Sequence, residues 1–383
     1  MRRSRVTTLA AVALTGALAL AGCAKDSGGG STPPAGGGTQ AESCKKNPVP
    51  AGGGGGGSTG TTSTGPKVDA SALKVGLAYD IGGRGDASFN DSAAAGLDKA
   101  KADMGLKETK ELTAAPNEPE DAKQSRLRQL AQEGFNPIIA VGFAYAKSVQ
   151  AVAAQFPNTK FAVVDDDTVQ LPNVTGLVFA EEQGSFLVGV AAVYKSKNCH
   201  VGFVGGVNVP LIQKFEAGFK QGVKAASNDA KIEAEYITPA GDFTGFQDPA
   251  KGNVVANGEI SRGADVIYQA AGASGKGVFE AAKSKNVLAI GVDSDQYNQK
   301  TVENSRDVII TSMLKRVDVA VYDYVRAVAG NTLSTLPKRF DLKADGVGYA
   351  TSGGKIDDIK ATLDAYKQQI IDGKITVSDK PSS

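Results

Sequence analysis

Short acidic residues recur in this chain directly after apolar runs. Asp80 closes a run that begins at Leu73, Asp165 closes Phe161-Ala162-Val163-Val164, and Asp293 follows Val287 to Val292. Gly272 follows Asp265 to Ala271, and Lys315 lies just past Thr311-Ser312. Phe89 and Asn90 end the glycine-rich stretch after Asp80, and Phe246 is a second aromatic of the same kind. Carboxylates accept hydrogen bonds from hydroxyl and amine donors. Glycine lets backbone approach a ligand closely, and aromatic faces stack on flat rings. Together these types suit a small, neutral, donor-rich ligand that contains a planar ring.

Strands and helices must bring such residues together. Strands are expected at Leu73–Asp80, Pro137–Phe143, Phe161–Asp165 and Val174–Phe179, with helices at Ser88–Met104, Ala144–Gln155 and Gln183–Tyr194. The pattern then begins again. Strands are expected at His200–Val204, Ile232–Ile237, Asp265–Ala270, Val287–Val292 and Val308–Ser312. The helices of this half are Leu211–Ala226, Lys251–Arg262, Gly277–Lys285 and Val317–Ala329. The strands are continuous apolar runs without alternation, the mark of parallel sheets covered on both faces. Strand-helix repetition through both halves predicts two doubly wound α/β domains. In such sheets a ligand lies beyond the carboxyl ends of the strands, where the residues above stand.

The ends and the composition set further bounds. Arg2, Arg3 and Arg5 precede an apolar stretch from Leu9 to Leu20, too short to span a bilayer, and Leu20-Ala21-Gly22-Cys23 follows. Basic start, apolar middle and small-residue exit read as an export signal over residues 1–22. The cysteine at the exit resembles the lipobox of bacterial lipoproteins. That resemblance implies an acylated Cys23, palmitate included, and attachment to the cell membrane through the N-terminal lipid only, on its extracytoplasmic face. Residues 23–66 are dominated by Gly, Ser, Thr and Pro and are expected to form a flexible tether without a fold, with order beginning near Lys67 or Val68. About 315 residues remain, more than one core usually holds, so two domains are the default. With a net charge of +1 and no basic block beyond the signal, nucleic acid is excluded as a partner. His200 is the only histidine, which argues against a metal site built on imidazole, and no cofactor is expected. In an oxidising compartment Cys44 and Cys199 are candidates for one disulfide; two unrelated thiols are the alternative.

Longer segments carry a more specific likeness. Asp80-Ile81-Gly82-Gly83 with Ser88-Phe89-Asn90, Glu181 to Leu187, Gly202 to Gly206, Phe246-Gln247-Asp248-Pro249, Ala271 to Gly277, Gly291 to Gln296 and Thr311 to Lys315 run in order across residues 72 to 375. The set resembles the basic membrane protein family of nucleoside-binding lipoproteins, which serve ABC importers. The resemblance implies a type I periplasmic-binding-protein fold, two parallel-sheet lobes joined by a hinge. Lobe 1 is expected to hold residues 67–180 plus about 296–345, and lobe 2 residues 181–295 plus about 346–379. It implies capture of a nucleoside, a purine being favoured, and delivery to permease subunits without a catalytic step. Phe89 and Phe246 would sandwich the base. Asp80, Asn90 and Asp165 would meet its edge, and Gly272, Asp293 and Lys315 would hold the ribose. Phe243 competes with Phe246 for the second stacking place, and Asp166 and Asp167 stand beside Asp165.

Plainer roles compete for several residues. Strand-end aspartates such as Asp80 and Asp293 often cap helices, and Asp248 before Pro249 reads mainly as a cap. Phe89 is also a candidate for the core and Lys315 for the surface; Phe186, Phe203, Phe215 and Phe219 read as core. Gly272 to Gly277 fails the P-loop spacing. Arg84-Gly85-Asp86 resembles an adhesion tripeptide, and His200 has no catalytic companion. Two other functions fit parts of the pattern: a hydrolase acting on nucleosides, and a ligand-sensing surface lipoprotein without transport.

Overall fold

The computed structural model describes residues 44–50 and 68–381. The export signal, Cys23 and most of the tether lie outside the described residues. Among the described residues there are eleven strands: β1 (Lys74–Tyr79), β2 (Glu108–Thr113), β3 (Ile138–Ala140), β4 (Phe161–Val164), β5 (Val174–Leu177), β6 (His200–Val207), β7 (Lys231–Thr238), β8 (Val266–Ala270), β9 (Leu288–Asp293), β10 (Ile309–Lys315) and β11 (Val347–Tyr349). The same described residues form nine α-helices: α1 (Phe89–Met104), α2 (Glu120–Gln132), α3 (Ala146–Ala153), α4 (Glu181–Lys195), α5 (Pro210–Ala226), α6 (Pro249–Ser261), α7 (Gly275–Ser284), α8 (Val317–Ala329) and α9 (Lys360–Ile371).

Two sheets form. The first has the order β2-β1-β3-β4-β5 and is parallel throughout. The second has the order β11-β10-β9-β8-β6-β7 and is parallel except for β11. Central strands β3, β4, β6 and β8 are buried along their whole length. That explains their mostly apolar sequences, with His200 at the start of β6 and Gln269 in β8 as the polar exceptions. The edge strands β2 (ETKELT) and β7 (KIEAEYIT) are largely half-exposed and carry charge, as edges that must not pair with other chains do.

The lobes differ from expectation in one respect. The sequence places about residues 296–345 in the first lobe, but β10 pairs with β9 in the second sheet, with Met313 opposite Val292. Apolar Ile309 and Ile310 are buried there. The chain crosses back only after Lys315, when α8 packs on α1: a side chain at Gly96 would strike the backbone of Asp318. Three crossings make the hinge, and they are bonded to one another. Phe340 N–H donates to Val178 O (2.8 Å), Ala180 N–H to Phe340 O (3.0 Å) and Arg316 N–H to Gly346 O (2.9 Å). The rings of Phe179 and Phe340 stack there with centroids 5.2 Å apart.

Part of the tether is held. Cys44 and Cys199 form a disulfide, and Asn47 bonds the carbonyls of Lys224, Ala225 and Ala226 at the end of α5. Order therefore begins before Lys67 in this stretch. The composition hid it because a single cross-link and one asparagine, not a buried apolar face, fix the segment.

Candidate functional site

Strand register assembles the site. Ala78, Ala140 and Val163 lie side by side on β1, β3 and β4. Two residues further on, Asp80, Gly142 and Asp165 therefore emerge together at the carboxyl edge of the first sheet. In the second sheet, Val292 opposite Met313 brings Asp293 and Lys315 to the matching edge. A cavity of about 590 Å³, counted to its open mouth, lies between the two edges.

All eight residues expected to bind ligand line this cavity: Asp80, Phe89, Asn90, Asp165, Phe246, Gly272, Asp293 and Lys315. Phe89 enters from the first lobe and Phe246 from the second. The ring of Phe246 lies where a side chain at Gly206 would be, and the ring of Tyr236 where one at Gly205 would be, which accounts for the Gly205-Gly206 pair near the end of β6. Phe243 does not line the cavity; its ring packs on Phe143 at 5.9 Å between centroids. The aliphatic walls are Leu211 and Ile212, with Phe215 beside them.

Lys315 is 2% exposed and is the electrostatic centre. Its Nζ lies 2.6 Å from Asp165 Oδ1 and 3.2 Å from Glu181 Oε1. The rings of Phe89, Phe179 and Phe215 surround it at 5.1, 5.2 and 5.4 Å to their centroids, a cation–π setting. Burial alone would push the ammonium down, but Asp165, Glu181 and Asp293 more than offset this and hold it above its ordinary range. Burial pushes the Asp165 carboxyl up, against the pull of Lys315. Burial likewise raises Asp293, with Lys315 and the Ser88 hydroxyl pulling the other way. Ser88 Oγ donates to Asp293 Oδ2 at 2.6 Å. Asp165 and Asp293 both take left-handed backbone conformations (φ +70° and +62°), a strained choice that concentrates at functional sites.

Asp80 stands at the opposite end of the group. Its Oδ1 accepts from Ile81 N–H at 2.8 Å. Its Oδ2 lies over Gly142, where a Cβ would come within 2.5 Å, and Gly142 has φ +109°. Only glycine serves both the turn and the carboxylate there. Burial pushes Asp80 up to about 6.

Two expected roles change. Asp165 belongs to the Lys315 group, because its carboxylate is bound to that ammonium. Asn90 has its amide committed within the protein: Nδ2 donates to Ile81 O and Asp86 Oδ2, and Oδ1 accepts from Asp80 N–H. It fixes the loop that carries Asp80. Sequence reasoning gave no role to Glu181, although Glu181-Glu182 heads a recognised segment; the signal was its place at the first hinge crossing.

The competing roles resolve as follows. Asp248 caps α6 by accepting from Lys251 N–H. Phe186, Phe203, Phe215 and Phe219 are buried. Arg84 is paired to Asp98 and Glu111, and Asp86 is buried, so that tripeptide is not displayed. His200 Nε2 meets Glu233 at 2.9 Å, remote from the cavity at the other end of β6.

The family model described as ABC transporter substrate-binding protein PnrA-like, Bmp, matches residues 72–380. The chain belongs to this family. A CD4+ T-cell-stimulating antigen of Listeria monocytogenes is 38% identical to it over 321 residues, 80% of this chain and 88% of that protein. The ABC transporter nucleoside-binding protein BmpA of Lactococcus lactis is 32% identical over 326 residues, 80% of this chain and 90% of that protein. An ABC solute-binding protein of Aeropyrum pernix superposes with a TM-score of 0.70 at 26% identity, covering 81% of this chain and 94% of that one.

Proposed function

We propose that this Bmp-family protein captures nucleosides between its lobes and delivers them to an ABC importer, held at the outer face of the cell membrane by lipid on Cys23. The observation that carries the reading is a pair of rings, Phe89 and Phe246, entering one cavity from different lobes with acidic groups beyond them. A flat heterocycle stacks between the rings. Asp80 accepts from the base edge, with a purine favoured for its larger face. Asp293, Lys315 and Gly272 take the ribose hydroxyls, and Asp165 with Glu181 holds the lysine in place. Three acidic groups against one lysine disfavour a phosphorylated ligand. The residues bind and orient; no step of bond making is assigned to them.

Calorimetry with purine nucleosides tests this. Each stacked ring face contributes about 1–3 kcal/mol, so Phe246→Ala should weaken binding roughly 5- to 150-fold. A 2′,3′-dideoxynucleoside leaves charged acceptors unsatisfied and should lose about tenfold or more. Equal affinity for the dideoxy and parent compounds would refute the ribose grip. Absence of purine-nucleoside binding would refute the reading as a whole.

A further inference from the structure

A second chamber opens beside the cavity. It measures about 560 Å³, counted to its mouth, and shares two residues with the main cavity, Asp80 and Ile81. Its other walls come from both lobes: Ala115, Glu118, Lys123 and Ala144 from the first, Gly241 and Phe243 from the second. Asn117, which also lines it, donates through Nδ2 to Asp242 Oδ1 across the lobes at 3.4 Å. Phe243, displaced from the stacking position, here has a place: it packs on Phe143 and walls the chamber.

The chamber's charges are unequal in their commitments. Glu118 is satisfied by Arg126, at 2.7 Å to each of two guanidinium nitrogens, and by Ala115 N–H at 2.9 Å. Lys123 has a side chain only 15% exposed, and the one carboxylate within 4 Å among the described residues, Glu120, stands at 3.9 Å. Glu120 itself also receives the Ser148 hydroxyl. The chamber thus offers a lysine whose side chain is largely buried, with no carboxylate closer than 3.9 Å among the described residues, and it meets the main cavity at Asp80 and Ile81.

We infer that the chamber receives a substituent carried on the nucleobase, and that it favours one ending in a carboxylate near Lys123. The inference rests on the nucleoside reading, in which Asp80 meets the base edge and Lys315 lies at the ribose end. A secondary exocyclic amine keeps one N–H for Asp80 while its substituent passes into the chamber. The substrate class is then extended from plain purine nucleosides to base-modified ones, such as those released when modified RNA is degraded.

The test compares adenosine and guanosine with N6-carboxymethyladenosine, N2-carboxymethylguanosine and the corresponding aminoethyl derivatives, by calorimetry on the full chain. The carboxymethyl compound should bind at least as tightly as its parent. It should bind roughly tenfold tighter than the aminoethyl compound, as a partly desolvated ammonium discriminates sign. Lys123→Gln should erase that ratio. Ala144→Phe, which fills the chamber outside the main cavity, should weaken the substituted ligand at least tenfold and leave the parent within twofold. Ala115→Phe, at an exposed rim position, repeats the block should Ala144→Phe fail to fold. If the parents bind and every substituted compound is rejected, the chamber is no subsite and the nucleoside reading stands. If no purine nucleoside binds, both fall.

Discussion

Lys315 Nζ and Asp165 Oδ1 are 2.6 Å apart, and the two residues end strands of different sheets. The lobes are therefore joined at the cavity by a buried ion pair. Ser88–Asp293 and Gln296–Ala87 add hydrogen bonds of 2.6 and 2.9 Å between the same lobes. A lysine at the end of β10 thus both lines the cavity and couples the two lobes on either side of it.

Removing Lys315 should be costly in a diagnostic way. Lys315→Met leaves Asp165, Glu181 and Asp293 buried without their cation, and breaking a buried pair by deleting one partner costs about 3–5 kcal/mol. Lys315→Met with Asp165→Asn removes part of the orphaned charge and should regain some of that loss. Thermal or urea unfolding of the two variants measures it. A single variant as stable as the parent, or a double variant no better than the single, would show that the pair does not hold the lobes.

Much of this was legible in the chain because parallel strands write plainly. Buried β4, β6 and β8 read as largely apolar runs, and Asp165 directly after β4 and Asp293 at the end of β9 stand out against them. The elements that escaped notice are those whose signal is weak for physical reasons. Edge strand β2 is polar because one side meets water, and α2 buries only Leu127, Leu130 and Ala131 of its thirteen residues. The position of β10 could not be read, since pairing to β9 or to the first sheet asks for the same apolar run. The residues that line the cavity can be named one by one from the chain, but their grouping cannot. That Asp165 binds Lys315, and that Asn90 spends its amide on the loop of Asp80, depends on contacts across lobes and turns that spacing does not encode.

Acidity should act through Asp80. Its carboxyl is pushed from the ordinary range to about 6 by burial, so between about pH 4 and 6 the folded protein holds a proton that the unfolded chain has lost. The stabilisation from that proton is complete below about pH 4 and disappears as pH rises through 6. Asp80→Asn keeps the neutral form at every pH. Its stability relative to the parent should therefore rise by about 2–3 kcal/mol from pH 4 to 7. Ligand binding should run the other way: a base N–H needs the ionised acceptor, so affinity should increase from pH 5 to 7.5 with release of a proton. Calorimetry in buffers of different ionisation enthalpy reads that proton. Affinity in the parent that is flat across pH 5–7.5 would remove Asp80 from the base edge.

The disulfide should matter for stability and not for binding. Cys199 precedes β6 at its amino end, whereas the cavity lies at the carboxyl ends of the strands. Cys44 and Cys199 are 155 residues apart in the chain, and losing a cross-link of that span typically costs about 2–5 kcal/mol. Replacing both with serine should lower the unfolding temperature and leave nucleoside affinity within twofold. It should also expose the Lys45–Lys46 bond to trypsin in the folded protein, because Asn47's bonds to the end of α5 and the packing of Lys46 on Tyr194 then hold residues 44–50 without covalent help. Protection of that bond in the variant would show that the hydrogen bonds suffice. A tenfold loss of affinity would show that the amino end of β6 is coupled to the cavity.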